Sequence, residues 1–376
     1  MKTNRTGMLL PENNLMKKIL FIASHRFDRA PGQRFRFEQY FQFLKSKGYD
    51  CELSFFIDER ADKIIYKPGH YFEKLRMILK GIRTRLKNVH QRNEYDIIFI
   101  FREAFMTRSI YFEKQFKKSR AKLVFDFDDA IWHMDISEAN KRFHWLKNPA
   151  KSGDIIALCD IVFAGNAYLA KYASQFCKNV VIIPTTIDTD EYQRMKFPPS
   201  DFITIGWSGS VTTIKHFEFA LPFLRRIIEK YGKRIRIKVI GDASYRNEEF
   251  NIEGIGWNRK DEVKELSSFD IGIMPLPDDE WANGKCGLKG LQYMALEIPT
   301  IMSPVGVNKE IIVNGENGFL AQETEEWVEK LSLLIDSEIL RKSMGSKARQ
   351  TVIDRYSVLS QQENYLRYFN QLTTKG

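Results

Sequence analysis

What most limits the fold of this chain is a series of short apolar runs with no polar alternation. Ile271-Gly272-Ile273-Met274-Pro275-Leu276 is typical. Such runs read as strands buried on both faces, as in a parallel sheet. Others lie at 18–24, 51–56, 95–101, 122–127, 160–163 and 179–184, and again at 202–208, 234–240 and 299–303. Helical stretches separate most of them, and this alternation predicts doubly wound α/β domains. Phe197-Pro198-Pro199-Ser200 reads as an interdomain hinge, after which the strand–helix plan restarts. The expected architecture is two such domains, 17–197 and 198–355, facing each other across a cleft. Residues 1–16 are expected to be a disordered extension, with Met16 as an alternative start.

With 376 residues, 43% hydrophobic and 28% charged, the chain is globular and long enough for two or three domains. No apolar run approaches the ~18–20 residues of a transmembrane helix. Lys17 and Lys18 before 19–23 mimic a signal peptide, but the apolar part is too short and His25-Arg26-Phe27-Asp28-Arg29 follows at once. Cys51, Cys159, Cys177 and Cys286 show neither metal-ligand spacing nor a disulfide framework, which points to a reducing cytoplasm. The net charge of +10 is uneven: residues 1–200 carry +12 and the remainder −2. That asymmetry predicts an anionic partner for the first half: membrane, nucleic acid or a phosphorylated acceptor. Nucleic acid is disfavoured, because the basic residues are not interleaved with aromatics in a compact stretch.

Four stretches carry candidate chemistry. In 278–308, Gly284 and Gly287 flank a predicted helix start, where backbone N–H groups can approach an anion. Lys285, Lys289 and Gln292 share one side of its first turns, and Leu288, Leu291, Met294 and Ala295 the packing side. Two readings compete: an anion offsetting cations at a helix N-terminus, or two solvated lysines. In the first half, a helix is predicted from Phe35 to about Lys47, and the loop before it carries arginines that either meet phosphate or are solvated. Residues 71–92 read as a basic amphipathic helix that either packs on the sheet or lies on an anionic membrane. Finally, Asp126-Phe127-Asp128-Asp129 closes a strand, where carboxylates suit general-base work, metal binding or helix capping.

Taken in order, several motifs resemble the GT-B glycosyltransferases of family 4 (group 1), in a bacterial branch of surface polysaccharide assembly. They are Asp126–Trp132, Phe163-Ala164-Gly165-Asn166, Ile183-Pro184-Thr185-Thr186-Ile187-Asp188, Ile205-Gly206-Trp207-Ser208-Gly209-Ser210 and KCGLKGLQYMALEIPTIMSPVGVN. The resemblance implies two Rossmann-like domains, with the helix 356–376 returning to the first. It also implies a nucleotide-diphosphate sugar held by the second domain and an acceptor held by the first. No metal or other cofactor is expected, and the anomeric configuration is retained. The family's Glu-x7-Glu pair falls on Gly284 and Gln292, so both carboxylates are missing, and Gln292 is left to bond ribose hydroxyls. The family's phosphate-binding Arg falls on Ser210, and its Lys on Lys215. The implied donor site is therefore Gly209, Ser210, Lys215, Gly256, Trp257, Lys285, Cys286, Gly287 and Gln292. The implied acceptor site is Gly32, Arg34, Arg102, Glu103 and His133, with Asp128, Asp129 and Lys289 as the catalytic groups.

The leading expectation is a cytoplasmic transferase peripheral to the inner membrane face, acting on a glycan or lipid-linked acceptor. Alternatives are a non-catalytic nucleotide-sugar-binding subunit and a metal-dependent transferase using Asp126 and Asp128.

Overall fold

The computed structural model describes residues 16–65, 67, 69–133, 148 and 150–374. Residues 1–15 of the expected N-terminal extension lie outside them. The first half builds a parallel sheet from β1 (Lys17–Ile22), β2 (Tyr49–Ser54), β3 (Ile97–Phe101), β4 (Lys122–Phe127), β5 (Ile161–Ala164) and β6 (Val180–Ile182). Its order is β2-β1-β3-β4-β5-β6. The second half provides β7 (Ile203–Ser208), β8 (Ile235–Ile240), the short hairpin β9 (Arg246–Asn247) and β10 (Ile252–Glu253), then β11 (Ile271–Met274), β12 (Thr300–Met302) and β13 (Phe319–Leu320). Its parallel sheet runs β13-β12-β11-β7-β8.

The apolar runs are unbroken because both faces of each sheet are covered. In the first sheet Leu20, Ile22, Ile98 and Ile100 enter one core while Ile19, Phe21, Ile97 and Phe99 enter the other. Strand order reverses between β1 and β3 in the first sheet and between β7 and β11 in the second. In open α/β sheets such switch points open a crevice at the carboxyl ends of the strands.

The chain returns at its end. The helix Val358–Thr373 is capped by Ser357, whose Oγ accepts from the N–H of Ser360 at 3.0 Å. It buries Tyr365 and Phe369 on the first sheet, with the Tyr365 ring stacked on Tyr40 at 4.2 Å. Burial of such aromatics contributes about 1.5–3 kcal/mol each. Two side chains trade places between the halves. Phe35 joins the core of the second sheet, edge-on to Tyr192 at 5.9 Å, and Cys286 joins the core of the first.

One helix differs from expectation, and a second divides its apolar residues between two faces. The helix predicted from Phe35 is broken into Pro31–Arg34, a 3-10 turn Glu38–Tyr40 and Phe41–Ser46. Phe35, Arg36, Phe37 and Glu38 are all buried, each towards a different partner, which one continuous helix cannot arrange. The basic helix forms as Tyr71–Gln91, and its apolar residues divide, with Ile78, Ile82 and Val89 packed on the first core. Lys74, Met77, Gly81, Arg85 and Asn88 point inward, while Phe72, Leu75, Leu79 and Leu86 are exposed. The inward face is set by Arg85, which is fully buried. It donates to the carbonyls of Ala23, Ser54 and Ala104 at 2.7, 3.3 and 2.6 Å, tying down the chain just past the first three strands. Burial lowers its pKa to about 9 despite the charge of Glu113.

Candidate functional site

On the first domain the cleft is lined from the ends of β3 and β4. Asp126, the penultimate residue of β4, is sealed in a fully buried pair with Arg36, at 3.0 Å (Nε to Oδ1) and 2.7 Å (Nη2 to Oδ2). Burial works to lower Arg36, but the Asp126 charge holds it above its usual value. The next two carboxylates face the cleft. Arg102 donates to Asp128 Oδ1 from Nε and Nη2 at 2.8 and 2.6 Å, and from Nη2 to Asp129 Oδ2 at 2.7 Å. The Arg102 backbone has a φ of +63°, a conformation that costs a non-glycine residue about 1–3 kcal/mol. Its N–H donates to Asp126 O at 2.8 Å, so the strain goes with a fixed guanidinium position.

The two aspartates are not equivalent. Both Asp129 oxygens are taken, Oδ2 by Arg102 and Oδ1 by Lys285 Nζ at 2.8 Å. Burial would raise Asp129, but Lys285 and Arg102 hold it below the usual carboxylate range. Asp128 Oδ2 accepts no hydrogen bond among the described residues and faces Gly32. A Cβ on Gly32 would stand 3.0 Å from that oxygen and 3.0 Å from the Phe101 ring. The missing side chain at Gly32 leaves an approach to Asp128.

On the second domain a small pocket lies at the carboxyl ends of β7 and β8. Ser208, Gly209, Gly256, Trp257, Glu262 and Lys289 form part of its wall. Glu262, only 5% exposed, is saturated. Its Oε1 accepts from Trp257 Nε1 and Gln292 Nε2 at 3.0 and 3.1 Å, and its Oε2 from Arg34 Nη1 and the Tyr192 hydroxyl at 2.8 Å each. Burial opposes the charge on Glu262, but Arg34 and the Trp257 hydrogen bond lower its pKa. Lys289 is the contrast. Among the described residues its ammonium makes no hydrogen bond or ion pair. Burial lowers its pKa, with Glu262 pulling the other way and Arg34 and Lys285 adding to the fall. A half-buried cation without a partner is costly, and an anion bound beside it offsets that cost.

Known proteins share this architecture. The family model described as glycosyl transferases group 1 matches residues 203–337. Sucrose-phosphate synthase from Thermosynechococcus elongatus superimposes with a TM-score of 0.69 at 13% identity, covering 95% of this chain and 99% of that one. HepE of Anabaena, in complex with UDP and glucose, gives 0.66 at 14% identity, covering 94% and 100%. The fold is GT-B. Among curated proteins, the capsular polysaccharide biosynthesis glycosyltransferase CapM of Staphylococcus aureus is 24% identical over 170 residues, 42% of this chain and 43% of that protein. The chain spans less than half the length of the curated relatives it matches.

Within the GT-B cleft the predicted residues divide. Gly209, Gly256, Trp257 and Lys289 line the second-domain pocket. Gly32, Arg102, Asp128 and Asp129 gather at the first-domain face. The others are elsewhere. Lys285 and Cys286 do not line the pocket; they dock on the first domain. Cys286 Sγ donates to Asp128 O at 3.3 Å, and Asn166 Nδ2 donates to Lys285 O at 3.0 Å. Gly165 permits this contact, since a Cβ there would stand 2.3 Å from Cys286 Sγ. Gln292 lies behind the pocket, held by Tyr192 and Glu262, and is buried with nearly all of its helix, Leu288–Ala295. Gly287 caps that helix with a φ of +70°. Ser210 closes a capping box with Thr213, and Lys215 is exposed on the helix Ile214–Glu218; neither lines the pocket.

On the acceptor side Arg34 is the clear correction. It is 5% exposed and crosses the cleft to Glu262, so it braces the donor pocket. Glu103 pairs with Lys151 at 2.7 Å, and His133 stands 3.4 Å from Glu280. Glu262 was missed by the sequence reading. Its only local cue is an acidic residue opening a short helix five positions after Trp257, a pattern common to many helix starts.

Proposed function

We propose that this chain transfers a glycosyl group from a nucleotide-diphosphate sugar to a glycan or lipid-linked acceptor, with retention of configuration. The carrying observation is the unpaired Lys289 ammonium in the second-domain pocket, opposite a first domain whose Asp128 keeps one open oxygen. A diphosphate beside Lys289 neutralises it, and that interaction strengthens as the leaving phosphate gains charge. Gly256 and Trp257 offer a surface for the base. Asp128 Oδ2 accepts a hydrogen bond from the acceptor hydroxyl or stabilises positive charge developing at the sugar, and Arg102 holds the carboxylate in place. The proton of that hydroxyl passes to the departing phosphate oxygen.

No metal is needed in this reading, because Lys289 supplies the cation and Asp126 is committed to Arg36. Full activity in excess chelator is the expected result. HepE of Anabaena in complex with UDP and glucose supports a nucleotide-sugar donor, and CapM supports a place in surface polysaccharide synthesis in the family 4 branch. The transferred group is proposed to be a hexosyl or deoxyhexosyl unit. A thermal-shift screen against nucleotide sugars, followed by a transfer assay with the best of them, tests the function. A second reading, a non-catalytic binding subunit, is favoured by the commitment of Lys285 and Gln292 to internal contacts. Transfer or donor hydrolysis by the purified chain excludes it.

Among the described residues no helix is long and apolar enough to cross a membrane. The outward face of Tyr71–Gln91 supports peripheral attachment of a bacterial, cytoplasmic enzyme to the inner membrane face. Phe72 is 77% exposed, Leu75, Leu79 and Leu86 continue its stripe, and Arg76, Lys80, Arg83 and Lys87 run alongside. Such a face suits an anionic bilayer. Failure to float with anionic vesicles at low salt removes this part.

A further inference from the structure

The four arginines at 26–36 have different fates. Arg36 is sealed against Asp126 and Arg34 against Glu262, and neither can meet a ligand without breaking a buried pair. Arg26 and Arg29 are held otherwise. Arg26 Nη1 and Arg29 Nε converge on one carboxylate oxygen, Asp62 Oδ2, at 3.1 and 2.5 Å. The Asp62 side chain is 9% exposed, whereas the two guanidiniums remain 33% and 31% exposed. Each commits one N–H to Asp62 and makes no other hydrogen bond among the described residues.

Two cations therefore share one anion. Nearby Arg34 and Arg259 are balanced by Asp28, Glu191 and Glu262, so the surplus charge rests on Arg26 and Arg29. Its position is defined from both sides. The Arg29 guanidinium lies 5.5 Å over the ring of Trp257, which lines the donor pocket. Arg26, Arg29, Asp62 and Arg102 all act on His25, which burial keeps neutral by lowering its pKa to about 4. The pair thus stands between the Trp257 wall and the Arg102–Asp128 group.

We propose that Arg26 and Arg29, oriented by Asp62, form a phosphoryl-binding subsite at the mouth of the cleft. Two guanidinium forks with uncommitted N–H edges match the oxygens of a phosphate ester in charge and geometry. The proposal rests on the cleft being a glycosyl-transfer site. The phosphoryl group is either one carried by the acceptor or the diphosphate of the donor.

The test is calorimetric titration of the full chain, wild type against Arg26→Gln/Arg29→Gln. One arm uses farnesyl diphosphate and the other UDP, GDP and ADP. Loss of a charge-assisted guanidinium pair is expected to weaken one ligand class about tenfold to hundredfold. A loss confined to farnesyl diphosphate assigns the subsite to the acceptor; one confined to the nucleotides assigns it to the donor. The single variants Arg26→Gln and Arg29→Gln each leave Asp62 one partner, and each is expected to weaken the same ligand by a smaller factor with the melting temperature kept. The proposal is overturned if neither class changes by more than about twofold in the folded double variant, or if wild type binds neither. If wild type binds farnesyl diphosphate and no nucleotide, and the double variant loses that binding, the donor reading fails while the subsite stands.

Discussion

The two walls of the cleft handle charge in opposite ways. On the first domain Arg102 is matched by Asp128 and Asp129, and Arg36 by Asp126. On the second, Glu262 is matched four times over while Lys289, beside it, is matched by nothing among the described residues. A paired wall is a finished structural element that can present one oxygen in a fixed direction. An unpaired cation in a pocket wall carries a cost that a ligand removes. The contrast supports the proposal that the anionic donor lies on the second domain and the acceptor hydroxyl at Asp128.

The largest effect expected from disturbing this comparison is at Asp128. Asp128→Asn should lower kcat about 10²–10⁴-fold, the usual range for a positioned acid–base group. Asp129→Asn, which breaks the Lys285 bridge between domains, should act mainly on KM. Steady-state kinetics of the two variants separate the roles, and equal kcat losses would show that the open oxygen on Asp128 has no special part.

Next comes Glu262. Glu262→Ala takes from Arg34 its buried carboxylate and leaves it the exposed Asp28 at 3.0 Å, and removal of one partner of a buried pair costs up to about 3–5 kcal/mol. Chemical denaturation should show that loss, whereas a cost near zero would mean the network is not what braces the pocket.

A smaller effect concerns Glu38, whose side chain accepts from the Asp28 N–H and from Gln33 at 2.8 and 2.9 Å. Burial raises its pKa from 4.5 to about 7. The folded state then holds this proton more tightly than the unfolded chain. Its contribution to stability is fully present below pH 4.5, declines as pH rises, and is gone above about 7. The span is about 1–3 kcal/mol. Glu38→Gln should flatten the fall in melting temperature between pH 5 and 7.5, and an unchanged slope would contradict the assignment. The smallest effect is on the proposed membrane contact of the helix Tyr71–Gln91. Each of Arg76→Gln, Arg83→Gln and Lys87→Gln should weaken vesicle binding roughly fivefold, about 1 kcal/mol per cation.

The sheets were legible because strands covered on both faces leave unbroken apolar runs, and Ile19, Leu20, Phe21 and Ile22 are buried as that pattern implies. The pocket was legible as far as Gly209, Gly256, Trp257 and Lys289. The rest depends on contacts distant in sequence. Arg34 meets Glu262 across 228 positions, and Lys285 meets Asp129 across 156. Helical spacing showed that Lys285, Lys289 and Gln292 lie near one another, not which of them faces solvent, the other domain or the core. The facing of Tyr71–Gln91 was hidden for a related reason. Its leucines are exposed, while Ile78, Ile82 and Val89 pack inward beside Arg85, which donates to three carbonyls at or beyond the strand ends.

The most direct measurement is at Lys289. Lys289→Met keeps most of the side-chain length and removes the charge. Wild type and variant are compared by calorimetric titration with the best-binding nucleoside diphosphate and by melting temperature without ligand. The expected result is affinity lowered about tenfold to hundredfold, with melting temperature equal or higher because an unpaired, partly buried ammonium is gone. Undiminished affinity in the folded variant would contradict the account of the donor pocket.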